Sequence, residues 1–188
     1  MNVVANVIGA KVANSELQRF LSLFDALMEA NTAWMTGTPR EKWDWVPFDN
    51  SNMKFGDRIS TIHMRSVYIH TIVGETNWAG LLPHVEDGAD MIFDMSRIKG
   101  LTSQLDASTD LIADAMTLHR ANMNAFAGLS DSQLAKNLRW MGREWTVMGF
   151  LWGIYSHRSY HLGNIDILMR EADEDAPDFF ANFRQKLA

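Results

Sequence analysis

His157 and His161 stand four residues apart inside a strongly apolar run, and no other feature narrows the possible folds as much. On a helix that spacing sets both imidazoles on one face, roughly 5 to 6 Å apart at Cβ. Phe150, Ile154, His157, His161, Ile165 and Leu168 recur at steps of three and four, so the two rings lie on the stripe predicted to face a core. A buried imidazole without a partner costs on the order of 1–3 kcal/mol. The segment is therefore predicted to be a helix packed against something that satisfies two polar rings, either a hydrogen-bonding neighbour or a metal ion that takes a nitrogen from each. The spacing is also that of the zinc-protease helix His-Glu-x-x-His, whose Glu is a general base. Here that position is Arg158, which cannot accept a proton, and a peptidase of that class is excluded.

A chain of 188 residues with 47% hydrophobic content is long enough for one well-filled core and short for two. A single domain over residues 1–188 is expected, with its core at about 14–171. The net charge is −6 and no run is rich in Lys or Arg, so neither nucleic acid nor an anionic membrane surface is an expected partner. Apolar runs break well before the roughly 20 residues of a membrane span, and no basic region precedes the apolar N-terminal residues. A soluble cytoplasmic protein is expected. The absence of cysteine removes disulfides, a thiolate nucleophile and cysteine ligands, so any thiol chemistry must come from a substrate.

Residues 1–13 are small and apolar without clear period and read as an extension or docked arm. Ser15 and Gln18 fit a capping box ahead of Leu17, Phe20, Leu21, Phe24, Leu27 and Met28, a first helix ending near Trp34. Gly37, Pro39, Pro47 and Asn50 then punctuate a long link whose Trp43 and Trp45 are expected to pack down as a lid or cap. A second helix is predicted over about residues 55–82, with Ile59, Ile62, Ile69, Val73 and Leu81 on one face and Pro83 past its end. His70 sits on that face; His63 lies seven residues earlier, about 10.5 Å along the axis and too far to share one ion easily. Residues 91–98 read as a short helix in the next link. Ser108 or Thr109 opens a third helix carrying Ile112, Ala115, His119, Met123 and Phe126 to a stop at Gly128. Ser130 and Gln133 make a second capping box. Leu138, Trp140, Gly142 and Trp145 read as a small hairpin or an irregular strand pair leading to Thr146, the start of the fourth helix. Glu171, Asp173, Glu174, Asp175 and Asp178 make a solvated acidic tail. Four main helices with unequal links predict an all-α four-helix bundle, and the long links permit parallel neighbours.

The segments His70-Thr-Ile-Val-Gly-Glu75-Thr-Asn-Trp78 and His157-x3-His161-x-Gly163-Asn164 resemble the two signature segments of the DinB/YfiT-like family. The Trp43-Asp44-Trp45-Val46-Pro47 loop, the Arg143-Glu144-Trp145-Thr146 segment and the order of elements are similar too, so the resemblance spans most of the chain. It implies a four-helix bundle with a long crossover connection, a homodimer, and His70, His157 and His161 as ligands of a divalent metal. Asn164 departs from the Gln common in the family, keeping the amide with a shorter reach. Three neutral imidazoles suit a first-row ion such as zinc or nickel and leave a position for water or substrate, where a metal lowers the pKa of bound water or of a thiol. Family members with assigned activity include thiol-dependent transferases and isomerases using mycothiol, bacillithiol or glutathione. The resemblance opens the same class here: a small electrophile attacked by an external low-molecular-weight thiol. The other reading is a non-catalytic, stress-associated bundle whose metal ties the second and fourth helices together. Glu75 reads as either an acceptor for a ligand N–H or a helix-surface carboxylate. Trp78 and Tyr160 read as packing, His63 and His119 as structural or boundary histidines, and His84 as exposed. The twelve Met residues read as an adaptable core.

Overall fold

Helix α1 (Ser15–Gly37) begins where the side-chain oxygen of Asn14 accepts from the amides of Glu16 and Leu17, both at 3.0 Å. The cap thus lies one residue before the Ser15 box expected from sequence. Asn caps as well as Ser, and the Asn14 amide also donates to Asp131 at 2.8 Å, which fixes it in that role. The helix runs past Trp34 to Gly37 because its last carbonyls find donors. The Trp43 indole N–H reaches Met35 O at 3.0 Å and Thr38 O at 3.1 Å, and Thr38 Oγ1 donates to Trp34 O at 2.8 Å. Trp43 is buried as expected for a cap, while Trp45 is only half-buried.

The computed structural model describes residues 14–46, 54–55, 58–59 and 62–172. The expected N-terminal arm, Pro47, Asn50 and the acidic tail beyond Ala172 lie outside them.

The second helix does not start near residue 55. Residues Lys54–Phe55 (β1) and Arg58–Ile59 (β2) pair as short antiparallel strands, and α2 spans Met64–Leu81. His63 sets its start: Nδ1 accepts from the Ser66 amide at 3.2 Å, and Ser66 Oγ accepts from the His63 amide at 3.1 Å. An apolar period that continues through Ile59 and Ile62 cannot register a cap made by an imidazole. After a turn of 3-10 helix at Leu82–His84 come β3 (Ala89–Asp90) and α3 (Met95–Asp106), the latter capped by Asp94 and placed later than the 91–98 reading. Helix α4 (Leu111–Ala127) is capped by Asp110, just beyond Ser108 and Thr109, and closes at Gly128. The Ser130–Gln133 capping box holds the single turn α5 (Asp131–Leu134). The hairpin pairs β4 (Asn137–Trp140) with β5 (Arg143–Thr146), turning through Met141 at φ 48° and Gly142 at φ 72°, two consecutive left-handed residues as a tight primed turn requires. Thr146 then caps α6 (Val147–Glu171), accepting from the Gly149 amide at 3.0 Å.

The fold is mostly helical, as expected, and the expected hairpin gains a third strand, β3, that the all-α reading did not contain. Strand β3 pairs with β4 in parallel, and Asp90 grips Arg139 at 2.9 and 3.2 Å. Two residues are too few to leave a pattern in sequence.

Contacts fix the helix directions. Phe20 meets Trp152 at 5.7 Å while Asn31 meets Arg158 at 3.0 Å, so α1 and α6 run parallel. Phe20 meets Phe126 at 5.9 Å while Thr32 meets Met116 at 3.5 Å, so α4 runs against α1. Trp78 meets Phe150 at 5.7 Å while the His70 and His161 rings stand 4.8 Å apart, so α2 runs against α6. Helices α2 and α4 therefore lie parallel, packed along each other and joined by a crossover that carries α3. One apolar cluster gathers Met28, Trp34, Tyr68, Ile72, Leu162 and Ile165, and a second gathers Phe20, Phe24, Trp78, Phe126, Phe150 and Ile154. Among the described residues, no helix is long and apolar enough to cross a membrane.

Removing the cap of α6 tests the local reading. Thr146→Ala should destabilise the protein by about 1 kcal/mol, a fall in melting temperature of roughly 2–4 °C, with far-UV circular dichroism at low temperature unchanged.

Candidate metal centre

His70 projects from the middle of α2, and His157 and His161 from successive turns of α6, across the antiparallel contact between the two helices. Ring centroids are separated by 4.5 Å for His157 and His161, 4.8 Å for His70 and His161, and 5.3 Å for His70 and His157. One nitrogen from each ring can be chosen so that all three lie within 4.8 Å of one another. Two nitrogens on one ion stand no more than about 4.2 Å apart, twice a bond of about 2.1 Å. His161 is buried, and His70 and His157 are half-buried.

Each α6 ring is prepared for a cation in its own way. His161 Nδ1 lies 3.0 Å from Asn164 Oδ1. A carbonyl oxygen only accepts, so this nitrogen carries the hydrogen and the lone pair is on Nε2, the arrangement of a ligating histidine steadied by a neighbouring acceptor. Asn164, one carbon shorter than Gln, makes that contact directly from the next turn. His157 has a buried Nδ1 with no hydrogen-bond partner. Its ring meets the edge of Trp78 at 5.3 Å, and Trp78 is itself set edge-to-face against Phe150 and Trp140. This aromatic wall keeps water from one side. Burial, followed by the positive charge that His161, His70 and Arg158 would place nearby, pushes the His157 pKa down to about 3. Burial also lowers that of His161, against the pull of Asn164. Both rings are thus neutral near neutral pH, the form that binds a metal. The donor set and the orphaned nitrogen fit a borderline divalent ion such as zinc or nickel.

Beneath the histidines lies a group whose role the sequence reading missed. Arg158 and Glu75 are both fully buried and paired through two donors: Nε reaches Oε1 at 2.7 Å and Nη2 reaches Oε2. Nη1 donates to Asn31 Oδ1 on α1 at 3.0 Å, and the guanidinium lies 5.3 Å over the Phe24 ring. Glu75 is therefore neither an acceptor for a ligand ring nor a surface carboxylate. Burial pushes its carboxyl up, and Arg158 acts against that rise. One signal was available: Glu75 is the lone formal charge between Arg65 and Glu86 and Arg158 the lone one between Glu144 and Asp166, and opposite charges so isolated on core-forming helices predict a buried pair.

The remaining candidates fall elsewhere. His63 is committed to capping α2. His119 is buried 3.1 Å from Asp25 between α4 and α1, a structural role as expected. His84 is exposed. Trp78 packs, as expected, but Tyr160 is 68% exposed with its ring 5.0 Å from that of His161, so it stands at the solvent side of the cluster and not in a packed core.

No family model, no curated protein and no solved structure matches the chain.

The depressed His157 pKa makes stability depend on pH with a definite sign. Between about 3 and the unperturbed 6.5 the unfolded imidazole binds a proton that the folded one refuses. The contribution is whole above 6.5 and is lost as pH falls through that window. Metal-stripped protein should melt at a constant temperature above about pH 7 and at progressively lower temperature below about 6.5. His157→Phe, which keeps an aromatic ring against Trp78, should lessen that slope. An unchanged slope would show that His157 is not the group responsible.

Proposed function

We propose that this chain is a DinB-like metalloprotein: a four-helix bundle of α1, α2, α4 and α6 with a long crossover, holding one divalent ion, zinc or nickel, on His70, His157 and His161. The observation that carries the reading is that three histidines from two helices each bring a ring nitrogen within 4.8 Å of the others. The parallel run of α2 and α4 across a crossover supports the bundle topology that the family resemblance implies. No fourth His, Cys, Asp or Glu joins the group among the described residues, so three protein ligands leave a coordination position for a substrate atom. That favours chemistry over a closed structural site.

The reaction class we propose is transfer to, or isomerisation of, a small electrophile by an external low-molecular-weight thiol. A bound divalent ion supplies Lewis acidity that favours the ionised thiol near neutral pH. The chain itself contributes the rest. Asn164 holds the His161 ring in one tautomer, and Trp78, Phe150 and Trp140 exclude water beside His157. The half-buried His70 and His157 leave the cluster approachable from solvent, next to exposed Tyr160. The thiol must be external because the sequence has no cysteine. By the same resemblance we propose a cytoplasmic homodimer.

Elemental analysis of purified wild-type protein should find about one divalent ion per chain. His70→Ala should lose most of it and His63→Ala should keep it; the reverse result would mean that the wrong third ligand was chosen. Removing the ion with a chelator at neutral pH should lower the melting temperature, because binding to the folded state adds to folding free energy. Thiol consumption with a model electrophile should require the ion and return when it is restored.

Assembly is a separate matter. Sedimentation at micromolar concentration should give a dimer, and a monomer alone would remove that part of the proposal.

A further inference from the structure

We propose that Glu75 and Arg158 are positioning residues, whose two-pronged contact sets the rotation of α6 against α2 and so brings His157 and His161 to face His70. This deepens the reading of the three histidines as a metal site and rests on it for its functional meaning. Arg158 follows His157 directly, and successive residues on a helix differ by about 100° in direction. The guanidinium therefore fixes where the neighbouring imidazoles point. Apolar contacts along α2 and α6 constrain spacing but tolerate small rotations, whereas a planar guanidinium on a carboxylate has one good geometry.

The anchoring reaches four residues on two helices. Arg158 meets Glu75 on α2, Asn31 and Met28 on α1, and the Phe24 ring, all within a fully buried region. Glu75 in turn lies on α2 five residues from His70, so the ion pair and the histidine cluster bridge the same two helices at neighbouring levels. A buried ion pair is weak evidence for stability, since removing two charges from water offsets most of their attraction. Its use as a register device is the better-attested alternative, and here the register it fixes is the one the histidines need.

The test replaces both charges together with apolar groups, Glu75→Leu with Arg158→Met, because removing one alone leaves an uncompensated buried charge. Arg158→Lys, which keeps both charges and loses the planar fork, is the second variant and decides the matter if the first does not fold. Two readouts are taken on wild type and variants. Nuclear Overhauser contacts between the His70 ring and those of His157 and His161 report geometry without any metal. Cobalt(II) titration, followed by the visible absorption of the bound ion, reports ligation.

We expect a folded variant with cooperative melting, weakened or lost ring-to-ring contacts, at least a tenfold loss of cobalt affinity and an altered spectrum. A folded variant that keeps the ring contacts and binds cobalt within twofold of wild type overturns the proposal and leaves the pair a packing feature. If wild type itself binds no cobalt, the metal reading falls, and the ring contacts alone decide whether the pair positions the cluster.

Discussion

A guanidinium removed entirely from water is the constraint around which this protein is arranged. Arg158 has no access to solvent, so every donor it presents must find an acceptor inside the protein. Those acceptors come from α2 and α1, which must therefore lie at a set distance and rotation about α6. The surrounding rings and aliphatic chains supply most of the favourable burial. They do not by themselves specify which way each helix faces.

The aromatic cluster at one end of the α2–α6 contact has a second effect. Trp78, Trp140 and Phe150 meet one another edge-to-face, and Trp78 turns its ring against His157. The same wall that packs the sheet hairpin onto the helices also withdraws solvent from one imidazole. Packing and acid–base character are thus set by one group of side chains. Asn164 acts on the other α6 ring through a single hydrogen bond, so the two histidines, alike in sequence, sit in different surroundings.

Much of this was legible in the chain. The four long helices follow from apolar residues at steps of three and four, and the Ser130–Gln133 box, the Gly128 stop and the Thr146 cap are where their chemistry places them. Spacing pairs His157 with His161, the family resemblance adds His70, and the structure brings these three together. What was not legible shares one cause: it depends on partners distant in sequence. Asn14 outcompetes Ser15 because Asp131 holds its amide from across the fold. Glu75 could be surface or core until its partner, 83 residues away, was placed. The parallel β3–β4 pairing joins residues about fifty apart over two positions only. His63 looked like part of a helix because a capping imidazole leaves the apolar rhythm unbroken.

The parallel run of α1 and α6 has a kinetic consequence. Arg158 lies 127 residues from Asn31 and 83 from Glu75, so its acceptors are made long before it is. During synthesis the earlier helices can collapse on one another, yet Glu75 has no cation to meet until α6 emerges. The final slot must stay hydrated and loosely closed through that interval. Loop-closure entropy has to be overcome before contacts of this range reward the chain. Completion of the fold and assembly of the histidine cluster are therefore one late event, and a nascent chain stopped short of α6 would hold His70 with nothing opposite it.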